Sequence, residues 1–353
     1  MHKGIGVVLT LLTAGAAAPA GPPEKDLSKL ESVLRTSKDE VARVQAVKAI
    51  AAGVSAKTRR GARPPKDQPK YTAPDKKVVA ILVAGLGDSA SGVRYACREA
   101  LGRCGATAIG PLTEALASEN VEVRSGAADA LGDIGVYDDS DRHPLERAVP
   151  GLTKLLDDKH YAVRVSACMA LARIGERSAP ALEKLIGLLD DAEWAVADAA
   201  VRAVAAADPS GKKSVPALAK TLEGSKHDLR EFICVELANM GPKAEAAIPV
   251  LIKLLDTDRN AWQAGKAAAD ALAKIVSIDP KNPDAPKVSD DTRAIVIAAV
   301  AKSAAAAKVP FVQDGRLFAL LPSGNRNKPG LGPLGPEALP ALPVALARLR
   351  SWS

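Results

Sequence analysis

The chain is poor in rings. Its 353 residues include three Phe, four Tyr and three Trp, 3% in all, although 47% are apolar. A globular core of this size would usually draw much of its buried area from aromatics, so any core here must be filled by aliphatics and alanine. Histidine is scarce too: His2, His143, His160 and His227 are the only four, and none is followed by glutamate. No G-x-S-x-G elbow occurs, and GLGDSASG (Gly85 to Gly92) reads as a turn between helices, not as a phosphate-binding loop. The four cysteines, Cys97, Cys104, Cys168 and Cys234, show no zinc-ligand spacing. Cys97 and Cys104 stand seven apart on one expected helix, about 10 Å, which is beyond disulfide reach. All four are expected to be small buried packing residues. No catalytic group, metal or cofactor is expected.

Long apolar runs are absent beyond the opening, MHKGIGVVLTLLTAGAAAPAG. There a basic start leads into an uncharged run and then small residues, the outline of a secretory signal peptide over residues 1–20. Cleavage could follow Ala16 or Ala20. The expected destination is the periplasm or the extracellular space, with an uncleaved N-terminal membrane anchor as the alternative.

What the chain does have is a repeat. Arg43, Arg94, Arg124, Arg164 and Arg230 each stand seven residues before a large aliphatic: Ile50, Leu101, Leu131, Leu171 and Leu237. Ala197 and Gly265 keep the frame, before Val204 and Leu272, without the arginine. From Arg164 onward the unit is 33 to 35 residues long; an insert, YDDSDRHPLER, stretches the step before it. The second half of each unit reads V-R-x-x-A-x-x-A-L-x-x-I-G, with helical apolar spacing. Gly105, Gly135, Gly175 and Gly241 are expected to stop these helices. The first half often opens on proline (Pro150, Pro180, Pro216, Pro249), which suits a first helical turn. It ends in L-L-D, whose Asp157, Asp190 or Asp256 would sit near the next helix start. One such helix pair cannot cover its own apolar face, whereas stacked pairs cover one another.

The phrase D-x-x-x-x-V-R-x-x-A-x-x-A-L-x-x-I-G resembles the HEAT repeat, in its short phycobilisome-lyase-like form, over roughly residues 27–307. The resemblance implies an all-α fold: a right-handed α-solenoid (superhelix) of stacked antiparallel helix pairs, about seven to eight repeats. It would occupy residues 21–310, interrupted by inserts at 54–74 and 136–146. A Gly/Pro-rich connector and a C-terminal capping helix would follow over 311–353. Proteins of this kind include scaffolds, adaptors, lyase subunits and a few enzymes. The missing His–Glu pairs separate the chain from the members that hold iron with such dyads. The resemblance also implies that Arg43, Arg94, Arg124, Arg164 and Arg230 form a structural ladder, bonding to Asp side chains and turn carbonyls of neighbouring units. An anion-binding stripe is the alternative use of that column.

A second column lies three residues before each frame position: Val121, Tyr161, Trp194, His227 and Trp262. Tyr161, Trp194, His227 and Trp262 place a ring at one equivalent spot in four successive units. The rings either shield the adjacent turn or form a ridge on the concave face for a partner. The net charge of +7 is concentrated between Val54 and Lys77, where eight basic residues (Lys57, Arg59, Arg60, Arg63, Lys66, Lys70, Lys76 and Lys77) face Asp67 and Asp75. With Pro64, Pro65, Pro69 and Pro74, this stretch reads as an exposed loop. The expected function is a non-catalytic exported scaffold or adaptor that binds a protein or cell-envelope partner. Two alternatives stand beside it: a lyase-type enzyme subunit, or a weak polyanion or nucleic-acid binder working through the basic insert.

Overall fold

The structure, a computed structural model, describes residues 24–52, 74–137, 144–224, 229–255, 262–277 and 287–306. The expected leader, most of both inserts, the C-terminal connector and cap, and His227 lie outside these residues. Among the described residues every regular element is helical, and the chain is an all-α solenoid. It divides into two compact units, Met1–Leu185 and Ile186–Ser353.

In the first unit, α1 (Glu24–Thr36) pairs with α2 (Glu40–Ala51), α3 (Lys76–Gly85) with α4 (Ser91–Cys104), and α5 (Ala106–Ala115) with α6 (Val121–Tyr137). A fourth pair joins α7 (Val149–Leu155) to α8 (Tyr161–Ile174), and α9 (Leu182–Gly187) begins the next. The second helices pack in file, α2 on α4, α4 on α6 and α6 on α8. The first helices form the other layer, with α3 on α5 and α5 on the 3-10 turn Pro144–Ala148 that leads into α7.

The second unit repeats the plan. Here α10 (Trp194–Ala207) and α11 (Ser214–Gly224) precede α12 (Arg230–Met240) and α13 (Ile248–Leu255), followed by α14 (Trp262–Ile275) and α15 (Asp290–Ala306). Helices α10, α12 and α14 pack in file; α11 lies against α13, and α13 against α15.

The seven-residue spacing is the code for this packing. The aliphatic of each copy (Ile50, Leu101, Leu131, Leu171, Val204, Leu237 and Leu272) has no exposed surface. Between these anchors the helices approach closely, because the facing residues are small. A Cβ on Gly102 of α4 would lie 2.9 Å from Asp133 Cβ of α6, and one on Gly132 of α6 would lie 2.9 Å from Ala170 Cα of α8. Rings would hold these helices apart, which accounts for the aromatic-poor composition.

Three of the four expected glycine stops hold. Gly105, Gly175 and Gly241 follow their helices at φ +59°, +73° and +58°, a region that costs glycine little and other residues more. Gly135 does not stop its helix: α6 continues through it to Tyr137. Gly135 is small for another reason, since a Cβ would stand 3.3 Å from the Arg173 carbonyl oxygen. The prolines shape the first helices more than expected. Pro180 lies within the 3-10 segment Gly175–Ala181 before α9, and Pro150 opens α7. At Pro150 the missing N–H is no loss, because the N–H groups of a first turn have no intrahelical acceptor.

Candidate functional site

The arginine column builds the joints between repeats. The Arg43 guanidinium donates through Nε and Nη2 to both oxygens of Asp88 in the next copy, each at 3.0 Å. Its Nη1 donates to the Ser37 carbonyl at 2.8 Å. Arg124 does the same two copies on, donating to both Asp158 oxygens at 2.8 and 3.2 Å and to the Ser118 and Glu119 carbonyls. The acidic partner belongs to the next repeat, while the turn carbonyls belong to the arginine's own. For Arg94 the equivalent position in the next copy is Ser118, not an aspartate, and its ion pair moves to Glu122, 3.2 Å away. Arg164 donates to the Asp158 carbonyl at 2.8 Å, and Arg230 stands first in α12.

Asp158 also accepts from the His160 N–H at 2.9 Å, at the start of α8, and so serves two repeats at once. Burial opposes its charge. The bonds from Arg124 and His160 outweigh that penalty and hold the carboxyl below its ordinary value. In these two copies the capping carboxylate is thus the residue after the L-L-D aspartate, Asp158 after Asp157 and Asp191 after Asp190. Asp191 likewise accepts from Glu193 N–H, and Asp157 pairs with Lys184 instead. A further column member is Arg293 in α15, seven before the buried Val300. It is 3% exposed and donates to the Val276 carbonyl at 3.2 Å. The same spacing in the sequence marks it, although its copy is otherwise decayed.

The ring column falls at the first residue of its helices. Tyr161 opens α8 with 53% of its surface exposed, and Trp194 opens α10 with 45% exposed. Trp262 opens α14, though its side chain, like all of His227, lies outside the described residues. Trp194 meets a ring that the column did not include, Phe232 of α12, edge to face at 5.8 Å. Val235, one turn along α12, is 48% exposed.

Polar groups share the second-helix faces. In the first unit, Arg98 of α4 reaches Asp129 at 3.5 Å and Asp133 at 3.4 Å, both on α6. Arg173 of α8 reaches Asp133 from the other side, at 3.1 Å. The exposed Tyr95 ring lies 4.9 Å from the Arg98 guanidinium, within cation–π range. Burial lifts the Asp129 carboxyl above its ordinary value against the pull of both arginines. In the second unit, Asp198 and Arg202 of α10 pair at 3.0 Å. Burial raises Glu236 of α12 against the bond from Asn239 and the field of Arg202.

The four cysteines are buried. Burial pushes the thiols of Cys97, Cys104 and Cys234 up to about 12, far from the values that make a nucleophile at neutral pH. Among the described residues, no group of three or more His, Cys, Asp or Glu is placed to hold a metal ion. No described helix is long and apolar enough to cross a membrane.

A family model described as HEAT repeats matches the chain over residues 27–132, 79–148, 109–205, 149–231 and 182–273. Part of the chain is similar to TORTIFOLIA1-like protein 1 of Arabidopsis thaliana, 28% identical over 136 residues, which covers 31% of this chain and 16% of that protein. Among solved structures, Kap121p superposes with a TM-score of 0.61 at 14% identity, covering 92% of this chain and 35% of Kap121p. Kap121p bound to Pho4p gives 0.60 at 13% identity, covering 93% of this chain and 35% of that one. At these identities the likeness is one of fold. The chain spans only a sixth to a third of the length of these proteins.

Proposed function

This chain belongs to the HEAT-repeat family, and we propose that it works without catalysis, as a scaffold whose second-helix faces receive a protein partner. One observation carries this reading. In a chain with so few rings, Tyr161 and Trp194 stand half exposed at the first position of α8 and α10, where the solenoid needs neither for its core. Aromatic side chains contribute large contact area at low conformational cost. Helices stacked in this way hold many weak contacts in one geometry before the partner arrives, so association loses little freedom. The fold neighbour Kap121p, seen bound to Pho4p, shows a protein held by a structure of this kind. The partner-binding residues proposed are Tyr161, Trp194, His227 and Trp262.

The proposal extends to export, with a partner in the cell envelope, on the strength of the leader-like opening. Pull-down from envelope extract with the full chain and with Tyr161→Ala/Trp194→Ala tests the site. Loss of the captured partner in the variant supports the reading; full retention overturns it. Fractionation of cells expressing the tagged chain, with sequencing of its mature N-terminus, tests export. A chain that stays in the cytoplasm with its first residues intact overturns that part alone.

A further inference from the structure

The first and last described helices present different outward faces. Helix α1 exposes Ser28, Lys29, Ser32, Arg35 and Thr36, a polar stripe at helical spacing. That is the face a terminal repeat needs, since no neighbour covers it. Helix α15 has no such stripe. One side of it, with Arg293, Val296, Ile297, Val300 and Ser303, is buried, and Ser303 donates to the Leu255 carbonyl of α13 at 3.0 Å. The other side carries Asp291, Ala294, Ile295, Ala298 and Lys302, all exposed, Ile295 by 60%. A helix apolar on both sides belongs in an interior, yet α13 and α14, on which α15 packs, cover only one side.

The chain itself supplies a cover. It continues for 47 residues beyond Ala306, and among them Leu339, Leu342, Leu346 and Leu349 recur every three or four residues, the spacing of an apolar helical stripe. Charge sets the direction. Asp291 and Lys302 bracket the exposed apolar residues, eleven apart, and Glu337 and Arg348 bracket the leucines, also eleven apart. Each stretch runs from acid to base. Antiparallel docking therefore sets Glu337 beside Lys302 and Arg348 beside Asp291, whereas parallel docking opposes like charges. In the antiparallel register Ile295 falls between Leu342 and Leu346.

We infer that residues 337–350 of this chain cover the Ala294, Ile295 and Ala298 face of α15, running antiparallel to it. A second copy is the poorer occupant. Three side chains are far less than a stable interface between copies needs, but a tethered segment meets them at high effective concentration. The covered face also leaves no apolar end on which another chain could stack. This contact stands apart from the scaffold reading and is tested separately from it.

The test uses the full chain carrying Ile295→Cys with either Leu346→Cys or Leu320→Cys, under mild oxidation, with disulfides read by mass spectrometry. The four native thiols are buried, so the introduced pair is the one that reacts. Leu320 is also apolar and nearer to α15 in sequence. In a tail that docks nowhere it would link faster, because shorter tethers close more readily. Docking should reverse that order, with Leu346→Cys linking about tenfold faster than Leu320→Cys. Lys302→Glu should slow the Leu346→Cys link about threefold, the scale of an exposed ion pair, and Lys302→Glu/Glu337→Lys should restore it. Equal or faster linkage of Leu320→Cys overturns the proposal, as does a Lys302→Glu effect that Glu337→Lys fails to restore. Disulfides joining nitrogen-15-labelled to unlabelled chains would show a second copy on α15 and overturn it as well.

Discussion

Arg124 ties two repeats through one side chain, and its removal isolates what such a joint contributes. Arg124→Ala would strip Asp158 of two bonds and leave the Ser118 and Glu119 carbonyls short of a donor. Removing one partner of a nearly buried pair costs about 2–4 kcal/mol, more than the pair's net worth, because the other charge stays behind. Denaturant titration should show that loss, and Arg124→Ala/Asp158→Ala should recover part of it. A cost below about 0.5 kcal/mol would reduce the ladder to surface decoration. Asp208 offers the matching test in pH. Burial works against its charge, but bonds from Ser210, Ser214 and Lys213 hold its carboxyl at about 2. A carboxyl depressed in the folded state adds stability above its unfolded value and loses it as pH falls through the folded value. Asp208→Ala should therefore destabilise the protein at pH 7 by about 1 kcal/mol, as for a lost helix cap. The deficit should close between about pH 4 and pH 2; one unchanged at pH 2 would assign the effect to packing. The buried thiols are expected to react with iodoacetamide only after denaturation, and a fast-reacting native cysteine would favour the lyase alternative over the scaffold reading. Much at this scale is legible in sequence, since a fixed seven-residue spacing marks each arginine. The partners are less so. Which of two adjacent aspartates turns inward depends on backbone geometry, and the move of Arg94 to Glu122 depends on what the next repeat happens to offer.

At the scale of helices, the small residues decide the spacing. Gly132→Ala gains about 1 kcal/mol in helix propensity. Against this, its methyl would meet the Ala170 backbone at 2.9 Å, and backbone cannot rotate away. Overpacking of this kind costs about 1–3 kcal/mol, so the net effect expected is destabilising. Gly187→Ala is the converse. Its backbone is already helical, at φ −60° and ψ −31°, and a methyl there meets nothing within 4 Å. It should stabilise by about 0.5–1 kcal/mol. Thermal melts of the two variants should move in opposite directions; a Gly132→Ala chain as stable as the parent would mean that α6 and α8 can part without loss. Periodicity makes the helices legible, but it does not distinguish a glycine that ends a helix, such as Gly175, from one that admits a neighbour, such as Gly135. That distinction depends on what packs alongside.

For the whole molecule, the repeat is legible because every copy solves the same packing problem, and seven consistent answers support one another. The face is not legible in the same way. Tyr161, Trp194 and Phe232 lie outside the core spacing, so nothing in the period says whether they shield a turn or wait for a partner. A stack also predicts how damage spreads. Leu131 of α6 has no exposed surface, and Leu131→Ala should cost about 2–5 kcal/mol. In a single globular core that loss would lower the protection of every helix together. In a solenoid each repeat leans only on its neighbours, so stability is close to a sum of local terms. Hydrogen exchange of Leu131→Ala should therefore quicken in α4, α6 and α8, which pack in file with α6 at the centre. Helices α1 and α2, beyond that group, should keep nearly their parent rates. Equal loss in α1 and α2 would show the first unit unfolding as one body, and the nearest-neighbour account of this chain would fail there.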